Sequence, residues 1–349
     1  MPPAASSSRA LNAILPLIQS GQPYEAHQKA RTFAARYQKS GQYDTAIDVL
    51  FQSARELFKV GQQGSGTDLT AFLLDVYENK GEDVNVESRG RITQLVALAG
   101  SSGSWRKTIV DKSIAWSAKS GPCPSGDPDL HHYIADILYK EGAFEAAELH
   151  YLAAGKRDSA RTLAQLYVEW SSTGGVPGAF ALRGIIPYLQ NGNILAARAF
   201  ITTLVSQFAT SRPNFIPSIQ SAPIPLGKTD LGTPDEIIFT ADSLVNFAQL
   251  AVRTCQRSQG DKNKAIREAW IRLCGSYQSK GGLLAVKEVR KALHEISELY
   301  FAIPPPRSQQ GNPMADMLSA MLGGGPTTIA AAPKRVLAPA PASGAPTLD

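Results

Sequence analysis

A short glycine-centred pattern recurs along the chain and constrains its fold more than any other feature. A glycine is followed two residues later by an aromatic or apolar residue, and three residues after that by an alanine. Copies begin at Gly41, Gly142 and Gly192, and a looser copy with one extra residue begins at Gly21. Glycine tolerates the positive φ that ends a helix, and alanine lets the next helix approach closely. The pattern is typical of tetratricopeptide-like hairpins, and its irregular spacing predicts divergent ones.

Apolar side chains at helical spacing accompany this pattern. They form one stripe in residues 26–37 and another in residues 46–58. Similar spacing predicts further helices at 68–80, 88–99, 104–118, 128–141, 144–154, 157–171, 178–190, 194–209, 242–257, 261–279 and 282–302. Because short turns separate these helices and strand signals are nearly absent, the sequence predicts an all-α protein, an α-solenoid of divergent helical hairpins.

Residues 210–241 interrupt the helices. They are rich in proline and glycine, so they cannot form one continuous helix. The run from Ile237 to Thr240 favours a β-strand, and the stretch around Ile216 and Ile219 favours one weakly. A small β-hairpin inserted near 213–240 and a bare loop both remain open.

The tail from residue 304 to residue 349 has a different composition. It is rich in alanine, proline, glycine and serine, which predicts disorder. Residues 313–322 form an island that holds three of the four methionines, and its apolar residues recur at helical spacing. We therefore expect a short amphipathic helix there that docks on this chain or on a partner.

Composition narrows the class of protein. The net charge is only +5, which does not indicate nucleic-acid binding. No apolar stretch is long enough to span a membrane, and the N-terminus does not resemble a signal peptide. Three cysteines without paired spacing indicate reduced thiols rather than disulfides or a zinc site. We therefore expect a soluble cytosolic protein that does not insert into membranes.

Catalytic and cofactor motifs are not evident. The glycine-rich run from Gly61 to Asp68 lacks the lysine that a phosphate-binding loop requires, and it follows a helix rather than a strand. We interpret it as a helix stop and restart, with Thr67 or Asp68 as the N-cap. None of the five histidines has metal-ligand spacing. The sequence therefore predicts a protein that is not an enzyme and binds neither a cofactor nor a metal.

The first 43 residues carry an unbalanced charge. Five basic residues stand against Glu25 alone. On the predicted helix 25–39, His27 and Arg31 flank one side of the apolar stripe and Arg36 flanks the other, so the exposed face is positive. This face is either an ordinary solvated surface or a docking site for an acidic protein surface.

Several short motifs occur in a specific order: Tyr24-Glu-Ala-His27-Gln, Ala35-Arg36-Tyr37, Gly64-Ser-Gly-Thr-Asp68-Leu69, Leu73-Leu-Asp-Val-Tyr77 and Asn246-Phe247. In these motifs the chain resembles the Golgi-to-ER traffic protein four family, which acts in the guided-entry pathway for tail-anchored proteins. The resemblance covers about residues 10–302 and the methionine island.

The resemblance implies an α-solenoid adaptor without catalytic activity. Its N-terminal half, residues 1–155, would dock on a cytosolic ATPase that carries tail-anchored proteins, through His27, Arg31, Arg36 and Lys39. Asp68 would lie where the family modulates ATP hydrolysis. The C-terminal half, residues 156–303, would hold a ubiquitin-like partner that recruits a co-chaperone.

Apolar residues suggest where the second partner would pack. The β-prone run is too apolar for a free loop, and the next predicted helix has an apolar stripe. The predicted contacts are Ile237, Ile238, Phe239, Leu244 and Phe247. An alternative function is a tetratricopeptide-like module that binds the short peptide tails of chaperones, although the repeated basic and amide clamps of such a module are not found.

Overall fold

The computed structural model describes residues 5–218, 222–228 and 234–304. These residues form fourteen α-helices, a 3₁₀ turn at Gly282–Ala285 and two short strands. The helices are α1 (Ala5–Gln19), α2 (Pro23–Lys39), α3 (Tyr43–Lys59), α4 (Gln63–Lys80), α5 (Val86–Leu98), α6 (Trp105–Ser120), α7 (Pro128–Lys140), α8 (Phe144–Ala154), α9 (Arg157–Trp170), α10 (Pro177–Gln190), α11 (Ile194–Ser211), α12 (Ser243–Gln256), α13 (Lys264–Gln278) and α14 (Lys287–Phe301). The predicted all-α fold of helical hairpins is confirmed.

The recurring glycines end helices as the sequence pattern predicts. Gly21, Gly41, Gly142 and Gly192 all have φ between 73° and 77°. After each glycine, the next backbone N–H returns to the preceding helix; the Gln42 N–H, for example, donates to the Tyr37 carbonyl at 2.9 Å. This is the hydrogen bond of a Schellman cap, which satisfies a carbonyl at the helix end.

Gly61 makes the same turn at the expected helix stop, although its sequence departs from the pattern. Gly61 has φ 77°, and the Gln62 N–H donates to the Leu57 carbonyl at 2.9 Å. Glycine replaces alanine at the close-approach position, Gly66, where a β-carbon would lie 2.7 Å from the Phe58 ring. Helix α4 consequently begins at Gln63 rather than at residue 68, which corrects the predicted N-cap at Thr67 or Asp68.

Two other boundaries differ from prediction. Helix α1, which the turn at Gly21 implied, was not among the helices identified by apolar spacing, and Pro16 lies inside it. Its Ala10, Ile14 and Ile18 recur every four residues and are buried, so packing stabilises it. The single helix predicted at 282–302 is instead the 3₁₀ turn followed by α14.

The interruption contains a β-hairpin, so the loop alternative is excluded. Strands β1 (Ile224–Lys228) and β2 (Pro234–Ile237) pair antiparallel, with Ile224 opposite Ile237 and an irregularity between Pro225 and Lys228. Both strands lie outside the stretch around Ile216 and Ile219 that weakly favoured a strand. The predicted methionine island at 313–322 lies outside the described residues.

The described residues divide into two compact units, the first within Met1–Ile185 and Leu195–Ala248, the second within Ile186–Ile194 and Gln249–Asp349. In the first, α1 to α7 share a core of buried aliphatic residues in which the Tyr77 and Trp116 rings lie 5.0 Å apart. In the second, the Trp270 ring stacks on Phe301 at 4.9 Å, and its Nε1–H donates to Ser297 Oγ at 2.8 Å.

One described helix, α11, has the length and apolar composition of a membrane span. Its Ala197, Phe200 and Leu204 are fully buried within the protein. One face of this helix is therefore packed within the fold.

Candidate functional site

Helix α2 presents the predicted basic surface. Pro23 occupies its first turn, where a missing N–H costs no hydrogen bond. Ala26, Ala30 and Ala34 are fully buried at intervals of four residues. Because alanine is small, the helix packs closely through this stripe and its longer polar side chains lie on the other faces.

Three predicted residues come together between α2 and α4. His27 Nε2 lies 2.8 Å from Asp68 Oδ2, and Arg31 Nη1 donates to the same oxygen at 2.5 Å. The Arg31 guanidinium also lies 5.6 Å from the centre of the Phe72 ring, one turn further along α4. His27 and Arg31 are four residues apart on one helix face, so a single carboxylate reaches both. We call His27, Arg31 and Asp68 the α2–α4 cluster.

Asp68 lies inside a helix and not in an exposed glycine-rich turn, which corrects the expected setting. Its side chain is 41% exposed, whereas that of His27 is 13% exposed. Burial alone would raise the pKa of Asp68, but hydrogen bonds from Arg31 and His27 outweigh it and hold that pKa below its usual value. The carboxylate is therefore ionised at neutral pH.

Arg36 and Lys39 lie in the last turn of α2 and are exposed. Within the described part of the chain they have no ion-pair partner, and neither has Lys29 on the same helix. Cations at a helix C-terminus are favoured by the helix dipole. The surface thus has one neutralised region at Arg31 and one open basic region at Arg36 and Lys39. We call His27, Arg31, Arg36 and Lys39 the α2 docking surface.

The second predicted contact set is divided between core and surface. Ile237 is 2% exposed and Phe247 is fully buried, so both belong to the core of this chain. Ile238, Phe239 and Leu244 are partly exposed. The set that is accessible to a partner is therefore smaller than the sequence suggested.

Two polar residues, Asp242 and Asn246, brace this second region; Asn246 was named only within the resemblance, and neither was assigned a role. Asp242 accepts hydrogen bonds from the Leu244 N–H at 2.9 Å and from the Gly178 N–H at 2.8 Å. Asn246 exchanges two 2.8 Å hydrogen bonds with the Thr240 backbone. An aspartate just before a helix is a common N-cap signal, which could have identified Asp242.

A cavity of about 720 Å³ lies beside this brace. Val176, Phe215 and Leu244 are among its apolar lining residues, and Asp242 and Arg212 are its charged ones. Val176 is 59% exposed. The cavity is open and large enough to receive an apolar side chain from another molecule.

Two of the histidines, His131 and His150, form a partly buried pair rather than a ligand set. His131 Nε2 lies 2.9 Å from the Ser125 carbonyl, and its Nδ1 lies 2.8 Å from His150 Nδ1. The carbonyl requires a proton on His131 Nε2, so His150 donates to His131. No group of three or more potential metal-ligating side chains occurs in the described ranges.

These features define a class of protein: a helical-repeat protein with an exposed charged helix surface and a braced apolar region, both suited to protein–protein contacts. The sequence model of the family described as Golgi to ER traffic protein 4 matches residues 40–322. The chain belongs to this family.

Individual relatives agree with the family match. The Golgi to ER traffic protein 4 of Aspergillus fumigatus is 34% identical over 327 residues, covering 88% of this chain and 87% of that protein. The Schizosaccharomyces pombe protein of the same name is 29% identical and covers 87% of this chain and 92% of its own length. A crystal structure of C. therm. Get4 has 30% identity, covers 96% of this chain and 100% of its own, and has a TM-score of 0.76.

Proposed function

We propose that this chain is a cytosolic, non-catalytic adaptor that links a tail-anchored-protein targeting ATPase to a ubiquitin-like partner, for delivery of tail-anchored proteins to the ER. Residues 1–155 bind the ATPase and residues 156–303 bind the ubiquitin-like protein. Membership of a family named for Golgi-to-ER traffic supports this role. The observation that carries the proposal is the α2 docking surface, where Arg36 and Lys39 are exposed without ion-pair partners among the described residues.

The α2 docking surface suits an acidic protein surface. Its cations stand on a helix that is fixed by buried alanines, so they are presented without rearrangement of the backbone. Charges of one sign accelerate association with an oppositely charged surface and select against partners of like charge. The ATPase is accordingly expected to offer carboxylates to this helix.

The second interface rests on a different chemistry. Ile238, Phe239 and Leu244 are partly exposed, and Leu244 also lines the cavity beside α12. An apolar centre within a polar rim is the usual anatomy of a stable interface. The hydrogen bonds of Asp242 and Asn246 fix the backbone at Thr240 and Leu244, so the ubiquitin-like protein would meet a preorganised surface.

A three-protein mixture tests the proposed function. Size-exclusion chromatography of the chain with the purified ATPase and the purified ubiquitin-like protein should give one complex that contains all three. Reversing Arg31 and Arg36 together to glutamate should release the ATPase and retain the other partner. Reversing Lys287 and Lys291, which are exposed on α14, is the matched control and should leave the complex intact. Retention of the ATPase by the first variant would contradict the proposal.

Asp68 has a regulatory role in this scheme, but the α2–α4 cluster changes how it is tested. Asp68→Lys would place a cation beside Arg31 and His27 and so alter the α2 docking surface itself. Asp68→Asn removes only the charge and retains an acceptor oxygen. ATP turnover by the ATPase in a saturated complex should therefore be compared between wild type and Asp68→Asn.

A further inference from the structure

The α2–α4 cluster places the carboxylate of Asp68 on the surface that is proposed to bind an acidic protein. Asp68 and Arg31 are 41% and 46% exposed, so both face the solvent from which a partner arrives. The contact joins residues 37 positions apart, on neighbouring helices, with one oxygen bonded to both His27 and Arg31. Its ionised carboxylate cancels the charge of Arg31 before any partner is present.

We propose that Asp68 is an intramolecular competitor: it occupies Arg31 and His27 in the free chain and weakens docking until acidic groups of the ATPase replace it. The inference rests on the proposed function and adds regulation to the same surface. Arg36 and Lys39 remain open for the first encounter. Arg31 becomes available only when its ion pair with Asp68 separates. This separation releases the Asp68 carboxylate toward the bound ATPase.

The exchange is energetically accessible because the ion pair is solvent-exposed. Exposed ion pairs contribute little net stability, since water solvates both charges when they separate. A partner carboxylate in the same position forms an equivalent bond with Arg31. The released Asp68 then adds a negative charge next to the ATPase, which gives one residue both an effect on affinity and an effect on the bound enzyme.

The competition predicts a direction that a simple contact residue would not give. Asp68→Asn should tighten binding of the full chain to the purified ATPase by about two- to fivefold, the scale of an exposed ion pair. If Asp68 instead contacted the ATPase favourably, the same substitution would weaken binding. Circular dichroism and thermal unfolding of the variant should show that the fold is retained.

A double-mutant cycle identifies Arg31 as the residue through which Asp68 acts. In an Arg31→Gln background, Asp68→Asn should change affinity by less than about 1.5-fold, because the ion pair with Arg31 no longer exists and only the contact between His27 and Asp68 remains. The matched control is Asp75→Asn on the same helix, whose ion-pair partner is Lys112 at 3.7 Å. It removes the same charge, and its effect should be equal in both backgrounds.

The outcomes separate this inference from the proposed function. Unchanged or weaker binding by Asp68→Asn, with binding still abolished by the Arg31 and Arg36 reversal, would overturn the competition and leave the docking surface standing. If the reversal also has no effect, the docking surface itself is contradicted. Tighter binding that persists in full in the Arg31→Gln background would overturn the assignment to Arg31.

Discussion

The α2 docking surface and the region around β2 and α12 present their predicted contacts in opposite ways. The first consists of charged, mostly exposed side chains on a helix that is fixed by Ala26, Ala30 and Ala34. In the second, two of the five predicted contacts, Ile237 and Phe247, are part of the core. A substitution in the first region changes a surface and spares the fold. A substitution in the second can change both, so loss of binding there needs a stability measurement beside it.

The largest expected effect is a loss of folding stability in the second region. Phe247→Ala should lower the free energy of unfolding by about 3–5 kcal/mol, because it removes a fully buried aromatic ring and leaves a cavity. Phe239→Ala, at a partly exposed position, is the control and should cost about half as much or less. Chemical denaturation of both variants measures the difference. Equal losses would show that the two rings do not divide between core and surface.

Acid pH should affect the fold through His131 and His150, which lie outside the α2 docking surface. Burial, followed by the neighbouring His131, lowers the pKa of His150 from 6.5 to about 4, while Asp111 opposes the shift. Burial also lowers the pKa of His131, against the Ser125 carbonyl and Asp127. Both histidines are therefore neutral in the folded chain at pH values where the unfolded chain is already protonated.

The sign of the pH effect follows from this difference. The stabilising contribution of neutral His150 is complete above pH about 6.5 and is lost as the pH falls toward about 4, by up to about 3 kcal/mol. Denaturation curves between these pH values should show the loss, and His150→Gln should flatten it. A pH dependence that is identical in the variant would contradict a role for His150.

The fold was predictable to the extent that each helix carries its own signal. The glycine-centred turns and the apolar stripes identified most helices, because both are local properties. The helix stop at Gly61 was expected, but its likeness to the other copies was not seen because Gln63 and Gly66 replace the apolar residue and the alanine of the pattern. The nearby Phe58 ring explains the glycine at position 66. Helix α1 was implied only by the turn at Gly21, and the spacing of its buried Ala10, Ile14 and Ile18 was not used to delimit it.

The site was predictable residue by residue but not as an arrangement. Helical periodicity placed His27, Arg31 and Arg36 correctly outside the buried stripe of α2. It could not show that Asp68 bonds to two of the predicted residues, because that contact depends on how α2 and α4 pack. Periodicity also cannot distinguish an apolar residue of the core from one at an interface, which is why Phe247 and Phe239 had the same interpretation.

The salt dependence of ATPase binding tests the central claim most directly. Between about 0.1 M and 1 M salt the Debye length falls from about 10 Å to about 3 Å, so contacts between exposed charges weaken while buried apolar contacts do not. Titration of the purified ATPase into the wild-type chain should show an affinity that falls at least about tenfold over this range, and Arg36→Glu should lower both the affinity and its salt dependence. An affinity that is independent of salt, or unchanged in Arg36→Glu, would contradict docking through the α2 docking surface.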